Sequence, residues 1–125
     1  NQFKLGYSLK QIDFLLKQVR SMDEKADVMR QSGLFIDTDR GYIDRFRGRI
    51  MFSIADISGK TVAFAGRVFE SDDPAKYVNS PETPIYNKSR ILYGLHASKQ
   101  EIRKKNHAIV VEGYLDFLQL FHSSF

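Results

Sequence analysis

The acids best placed to do chemistry lie in the stretch His107-Ala-Ile-Val-Val-Glu-Gly-Tyr-Leu-Asp116. The β-branched run from Ala108 to Val111 has the length of a short buried strand. Open parallel sheets bind their ligands just past the carboxyl ends of such strands. Glu112 would stand at that end, Gly113 would let the chain turn sharply, and Asp116 follows four residues later. Two carboxylates so placed suit a divalent cation, or one of them a general base. The same pattern also describes a surface acid, a turn glycine and a helix N-cap. These residues alone do not choose between the two.

A second set of chemical groups is cationic. Residues 40–49 read Arg-Gly-Tyr-Ile-Asp-Arg-Phe-Arg-Gly-Arg. If residues 45–49 are extended, Arg45, Arg47 and Arg49 share one side, because strand side chains alternate. Ile50 to Ile54 continues as a strand, Asp56 to Lys60 has turn chemistry, and Thr61 to Phe69 returns. Gly66 interrupts the return strand, as glycine does at a bulge or a close approach, and Arg67 follows it. An antiparallel hairpin would bring Arg45, Arg47 and Arg67 to one end. Three guanidinium groups repel one another unless anions satisfy them, and arginine matches phosphate bidentately. The alternative is a solvated edge paired with Asp44, Glu70 and Asp72.

Lys76 to Gly94 follows. It interleaves Lys76, Lys88 and Arg90 with Tyr77, Tyr86 and Tyr93, a composition that can track a phosphate backbone and stack on bases. All three prolines of the chain fall between residues 74 and 84, so this stretch reads as a constrained surface loop, neither helix nor strand.

Helical segments must hold these groups in place. Leu9, Ile12, Leu15, Leu16 and Val19 fall at helical spacing, which predicts a helix over 8–20 capped by Ser8. A second helix is expected over 23–32, capped by Ser21 or Asp23 and stopped at Gly33. Leu34 to Ile36 leads into a turn at Asp37-Thr38-Asp39. A basic helix is expected over 95–105, starting near His96 or Ser98. A last helix is expected to begin after Asp116, over Phe117–Phe121.

The totals set bounds. The chain has 125 residues, 42% of them hydrophobic, a size that fits about one domain with a real core. It has no cysteine, hence no disulfide framework and no thiolate metal site. No run approaches the length of a membrane span, and the three histidines lack ligand spacing. No P-loop and no Ser/His/Asp arrangement is present. The net charge of +4 favours a polyanionic partner only modestly. The amino-terminal sequence has neither an initiator methionine nor a signal-peptide pattern, and the chain stops soon after its second acid. It therefore reads as an excised piece of a longer polypeptide.

Five stretches occur in unbroken order: Tyr42-Ile-Asp-Arg-Phe-Arg-Gly-Arg-Ile-Met-Phe-Ser-Ile, Gly66-Arg-Val, Lys76-Tyr-Val-Asn-Ser-Pro-Glu-Thr-Pro-Ile-Tyr-Asn-Lys88, Leu92-Tyr-Gly-Leu and Val110-Val-Glu-Gly-Tyr-Leu-Asp116. Together they resemble the bacterial DnaG-type primases across about residues 40–118. Ser53 stands where the family usually has proline, and Asn87-Lys88-Ser89 where it has a His-Lys-Gly-like stretch.

The resemblance implies an α+β fold. Residues 1–95 would form the amino-terminal subdomain of the primase catalytic core, with mixed helices and antiparallel strands. Residues 96–125 would form the first strand and helix of a truncated Toprim α/β unit. It implies part of a DNA-directed RNA polymerase that makes short RNA primers on single-stranded DNA by metal-dependent nucleotidyl transfer. Glu112 matches the catalytic Toprim acid, and Glu112 with Asp116 would form an incomplete Mg or Mn site. Arg45, Arg47, Arg67, Lys76, Tyr77, Asn79 and Lys88 would bind template, nascent RNA and nucleoside triphosphates. Zinc is expected only in an amino-terminal module outside this sequence, and the replicative helicase only as the partner of a carboxy-terminal domain outside it. The location implied is the bacterial cytoplasm, at the replication fork, with no membrane partner. As an isolated fragment the chain is expected to be inactive. The competing readings are a nucleic-acid binding module without catalysis, a primase-like domain of a helicase-fused protein, and a Toprim nuclease or topoisomerase.

Overall fold

The computed structural model describes residues 2–22, 26–70 and 72–123. Its centre is the hairpin of β4 (Arg49–Ala55) and β5 (Thr61–Val68), which pair antiparallel from Arg49↔Val68 to Ala55↔Thr61. The turn between them is held by Asp56. Its carboxylate accepts from the Ser58 hydroxyl at 2.7 Å and from the Ser58 and Lys60 amides at 2.8 and 3.0 Å, while Gly59 takes the left-handed conformation at φ 89°. Two short strands complete the sheet in the order β1-β4-β5-β6, with β1 at Gly6–Ser8 and β6 at Tyr77–Asn79. Cross-strand partners share a face. Tyr7, Ile50, Arg67 and Tyr77 therefore form one row, and Phe52, Ala65 and Asn79 the next row on that same front face.

The front face carries the main core. Phe52, Ile54, Ala63, Ala65 and Tyr86 are buried there, with Tyr93, Tyr114 and Leu118 packed over them. Small Ala63 and Ala65 leave room on the sheet for the aromatic side chains. Tyr114 and Leu118 belong to α4 (Tyr114–His122), so this helix is docked on the sheet, preceded by α3 (Leu95–Lys105). A second core lies among α1 (Phe14–Ser21), α2 (Ala26–Gln31) and the hairpin of β2 (Phe35–Thr38) and β3 (Gly41–Asp44). Leu16, Met29 and Phe35 are buried in it.

The architecture is the expected α+β mixture, and α3 covers the expected 95–105, with Gly94 as its N-cap in place of His96 or Ser98. Several local expectations need correction. Ser8 does not cap a helix; it pairs with Arg49 in β1. The first helix starts at Phe14 because a distant residue caps it: Asp44 accepts from the Leu15 and Leu16 amides at 2.7 and 2.9 Å. Asp37 and Thr38, expected in a turn, belong to β2 of a hairpin, and the turn itself falls at Asp39 and Arg40. The expected cap Asp23 lies outside the described residues, and Ser21 ends α1. Tyr77–Asn79 is a strand that lies between Pro74 and Pro81, and Pro81, two residues past the last ladder residue, keeps it short.

The run Ala108–Val111 joins neither sheet, and Ile109 and Val110 are 55% and 81% exposed. A strand of a parallel sheet has no hydrogen bonds of its own and needs a neighbour. Among the described residues none pairs with it. The last helix begins at Tyr114, placing Asp116 in its first turn.

Candidate nucleic-acid interface

Arg67 projects from the front face, in register with Ile50 on one side and Tyr77 on the other. Its guanidinium carbon lies 5.9 Å from the Tyr77 ring centroid, a cation–π arrangement that leaves the N–H groups open to an anion. Tyr77 is 43% exposed on the short β6, so much of its ring remains open to a ligand. Lys76 is exposed, and its carbonyl accepts from the Val68 amide at 2.8 Å, fixing the backbone next to Arg67.

Arg45 and Arg47 sit on the irregular segment before β4. Gly48 has φ 59°, and this left-handed residue breaks the alternation that would have aligned 45, 47 and 49. Both are half-buried. Arg47 donates to the Asp44 carbonyl, and the Arg45 amide to the Leu34 carbonyl at 2.8 Å. The Arg45 Nε is buried with no hydrogen-bond partner among the described residues. The Phe69 amide reaches the Gly48 carbonyl at 3.4 Å, so this segment borders the end of the hairpin that bears Arg67. Arg49 does not line up with Arg45 and Arg47 as an extended 45–49 would require. It lies on the back face, 3% exposed, and pairs with Asp73. Lys88 is exposed at the start of a short 3-10 turn, its amide bonded to Glu82 at 2.9 Å.

The acidic motif comes to the same face through its central tyrosine. Tyr114 stacks on Phe52 with centroids 5.4 Å apart, meets Tyr93 edge-on at 4.9 Å and lies 6.4 Å from Tyr77. Its hydroxyl donates to the Asn79 side-chain oxygen at 3.3 Å. Burial, then the neighbouring Tyr86 and Tyr77, pushes the Tyr114 hydroxyl above its ordinary pKa, so it is a neutral donor at pH 7. Asn79, expected to face nucleic acid, thus also anchors α4. Nothing in the spacing alone singles out Tyr114; the available signal is an aromatic residue between two acids at a helix start. Asp44 is likewise no surface counter-ion but a buried helix cap, which the residues around it in sequence do not reveal.

Glu112 and Asp116 are both exposed on either side of Tyr114. The Asp116 carboxylate folds back over the helix start: a Cβ on Gly113 would come within 2.8 Å of its oxygen. An acid there is favoured by the helix dipole whether or not it binds a cation. Their oxygens are donors of the type that Mg and Mn prefer. Among the described residues, no three His, Cys, Asp or Glu side chains gather to hold a metal, so these two acids fit only as part of a larger donor set.

Comparison with known proteins is consistent along the chain. Residues 1–99 match the family model described as DNA primase catalytic core, N-terminal domain. The DNA primase of Streptomyces coelicolor is 44% identical over 117 residues, covering 93% of this chain and 18% of that protein. The RNA polymerase domain of Mycobacterium tuberculosis primase DnaG, solved with a double-stranded DNA oligomer bearing a 6-nucleotide overhang, superposes with a TM-score of 0.90 at 33% identity. That alignment covers 98% of this chain and 39% of the solved one. A DnaG primase catalytic domain bound to single-stranded DNA superposes with a TM-score of 0.81 at 40% identity, over 92% of this chain and 36% of the other. The chain thus spans about a fifth of the length of the curated relatives it matches. With the family model matched over four-fifths of its length and its fold shared with solved primase cores, the chain belongs to the family of the DNA primase catalytic core, N-terminal domain.

Proposed function

We propose that this chain supplies the template- and nucleotide-binding surface of a DNA primase, together with the first acidic motif of its active centre. The parent reaction is transfer of a nucleotidyl group to a 3′-hydroxyl on a single-stranded DNA template, with loss of pyrophosphate. The observation that carries this reading is the docking of Tyr114 against Phe52, Asn79 and Tyr77. It brings Tyr114 to the front face that presents Arg67 and Tyr77, and Glu112 and Asp116 flank Tyr114 in the sequence. In this reading residues 1–95 are the amino-terminal subdomain and residues 96–125 the start of a Toprim unit.

Lys76, Lys88 and Arg67 follow the phosphates of template or nascent RNA, and Arg45 and Arg47 extend this charge along the hairpin end. Tyr77 offers its face to a base or sugar. Asn79 keeps its amide N–H groups for the strand while its oxygen receives Tyr114. Glu112 and Asp116 would hold a magnesium or manganese ion, which when bound neutralises phosphate charge and orients the leaving group. Exposed Glu112 can also accept a proton from the attacking hydroxyl.

Titration of the chain with a labelled single-stranded oligonucleotide of roughly 16 nucleotides tests the surface. Affinity should fall steeply with salt, and the double change Arg45→Glu/Arg47→Glu should abolish binding. Binding that ignores salt, or survives the charge reversal, would remove the reading. The second reading, binding without catalysis, describes the isolated chain, because two acids do not complete a metal site. Primer synthesis by the purified 125-residue chain would overturn it.

A further inference from the structure

We propose that Arg49 is a positioning residue that holds Lys76 and Tyr77 in place from the back of the sheet and does not itself bind phosphate. The inference rests on the reading of Lys76 and Tyr77 as nucleic-acid contacts. Arg49 and Arg67 sit one step apart along the β4–β5 ladder, since Arg49 pairs with Val68 and Arg67 with Ile50. They therefore leave the sheet on opposite faces. Arg67 is exposed, whereas the Arg49 side chain is 4% exposed.

The Arg49 guanidinium is engaged on two edges. One terminal nitrogen donates to the Asp73 carboxylate at 2.6 Å. The other donates to the Ala75 carbonyl at 2.8 Å and leans towards the Lys76 carbonyl at 3.4 Å. Asp73 also accepts from the Ala75 amide at 2.9 Å, so carboxylate and guanidinium together clasp the turn that leads into β6. That turn has little ladder of its own. The strand pairing of β5 with β6 begins only at Arg67↔Tyr77, and the Lys76 carbonyl is tied beyond it by the Val68 amide. A buried arginine persists only when its charge and donors are matched, and here every acceptor named belongs to this one turn.

Gly66 supports the assignment independently. A Cβ there would approach the Arg49 Cδ and the Phe46 ring to 3.0 Å. The glycine inside β5 thus clears a channel for the arginine stem across the back face. A phosphate ligand would have no need of that channel, since it would take the arginine away from solvent.

The test compares Asp73→Asn, Arg49→Lys and Lys76→Ala in the full chain, each titrated with a labelled single-stranded DNA oligonucleotide across a range of salt. Simple electrostatics says that removing the Asp73 charge tightens polyanion binding. Positioning says the opposite. Asp73→Asn should weaken binding and flatten the salt slope towards that of Lys76→Ala, by about 0.7 for each single-strand phosphate no longer neutralised. Arg49→Lys keeps the charge but lacks the planar fork, so it should behave like Asp73→Asn. Adding Lys76→Ala to Asp73→Asn should then change little. Hydrogen exchange gives a separate readout. The Val68 amide should exchange faster in Asp73→Asn, while the Phe52 and Ala65 amides stay protected and show an intact sheet. Tighter binding by Asp73→Asn, wild-type behaviour of Arg49→Lys, or an unchanged Val68 amide overturns the positioning role. If Val68 loosens while Lys76→Ala leaves affinity and slope untouched, it is the reading of the binding surface that fails.

Discussion

Gly94 gives the sharpest test of how the acidic helix is held. It precedes α3 at φ 77°, a backbone conformation that costs a residue with a Cβ about 1–2 kcal/mol. Sterics add to this. A Cβ at Gly94 would lie 2.0 Å from the Phe117 Cζ and within 2.6 Å of two further ring atoms. Ordinary carbon contact is about 3.5–4.0 Å, so the ring must move by roughly 1.5 Å or more. It has little freedom to do so. Phe117 meets Phe3 and Tyr93 edge-on at 5.4 and 5.3 Å, and these rings tie α4 to the sheet. Overpacking of this kind costs about 1–3 kcal/mol. Gly94→Ala should therefore destabilise the chain by about 2–5 kcal/mol, a large share of the roughly 5–15 kcal/mol that holds a domain.

The two causes separate in a double-mutant cycle read by urea denaturation with tyrosine fluorescence, the chain having no tryptophan. On a Phe117→Ala background the clash is gone. Gly94→Ala should then cost only the backbone strain of about 1–2 kcal/mol, giving a coupling of about 1–3 kcal/mol. The same penalty in both backgrounds would refute the steric argument. A loss below about 0.5 kcal/mol in the wild-type background would refute the backbone argument too.

Four other outcomes follow from named contacts. Asp44→Asn turns an NH₂ group towards one of the two buried helix amides it now accepts from, and should cost about 1–3 kcal/mol in urea denaturation; Asp44→Ala, which removes both acceptors, should cost more. Tyr114→Phe keeps the stack on Phe52 and loses one long hydrogen bond to Asn79, so stability should fall by only about 0.5–1.5 kcal/mol while the Asn79 side-chain amide resonances shift. Burial, with the neighbouring Tyr114, pushes the Tyr93 hydroxyl up to about 12; its folded pKa exceeds its unfolded value, so its contribution is full below pH 10 and is lost as pH rises towards 12, an alkaline loss that Tyr93→Phe should reduce. The Ser58 hydroxyl and the turn amides hold Asp56 below its ordinary value of 3.8, so the turn's contribution is present above that pH and lost as acid titrates the folded carboxyl; Asp56→Asn should flatten the acid limb of the stability curve.

Much of this was legible in the sequence because local chemistry agreed with tertiary need. The hairpin from Arg49 to Val68 carries two short apolar runs around a turn whose aspartate and glycine do what those residue types do. Helix α3 is bounded by a glycine and an asparagine in left-handed conformations. What could not be read was decided by distant partners. Helix α1 begins where Asp44 reaches it, 28 and 29 residues away, so no local pattern marks its start. Ser8 has the chemistry of a cap but is taken by the edge of β4. The run Ala108–Val111 has strand composition and, among the described residues, no strand partner. The fate of Arg49 turned on one backbone angle at Gly48.

That angle explains why arginines of nearly the same sequence context serve different ends. Were residues 45–49 a straight strand, alternation would put Arg45, Arg47 and Arg49 on one face, and three like charges would need one shared anion. The left-handed Gly48 ends the regularity just before β4 begins. A side chain there is excluded twice, by the positive φ and by the Lys10 stem, which a Cβ would meet at 2.9 Å. Past this break Arg49 enters the ladder on the back face and is committed to Asp73. Arg45 and Arg47 remain on the irregular side, where they are only half-buried and the Arg45 Nε has no partner among the described residues. The chain thus divides its positive charge between a buried clasp and an accessible surface. Pairing with Asp73 on the back face takes Arg49 out of the like-charge repulsion that a straight strand would have imposed on it beside Arg45 and Arg47.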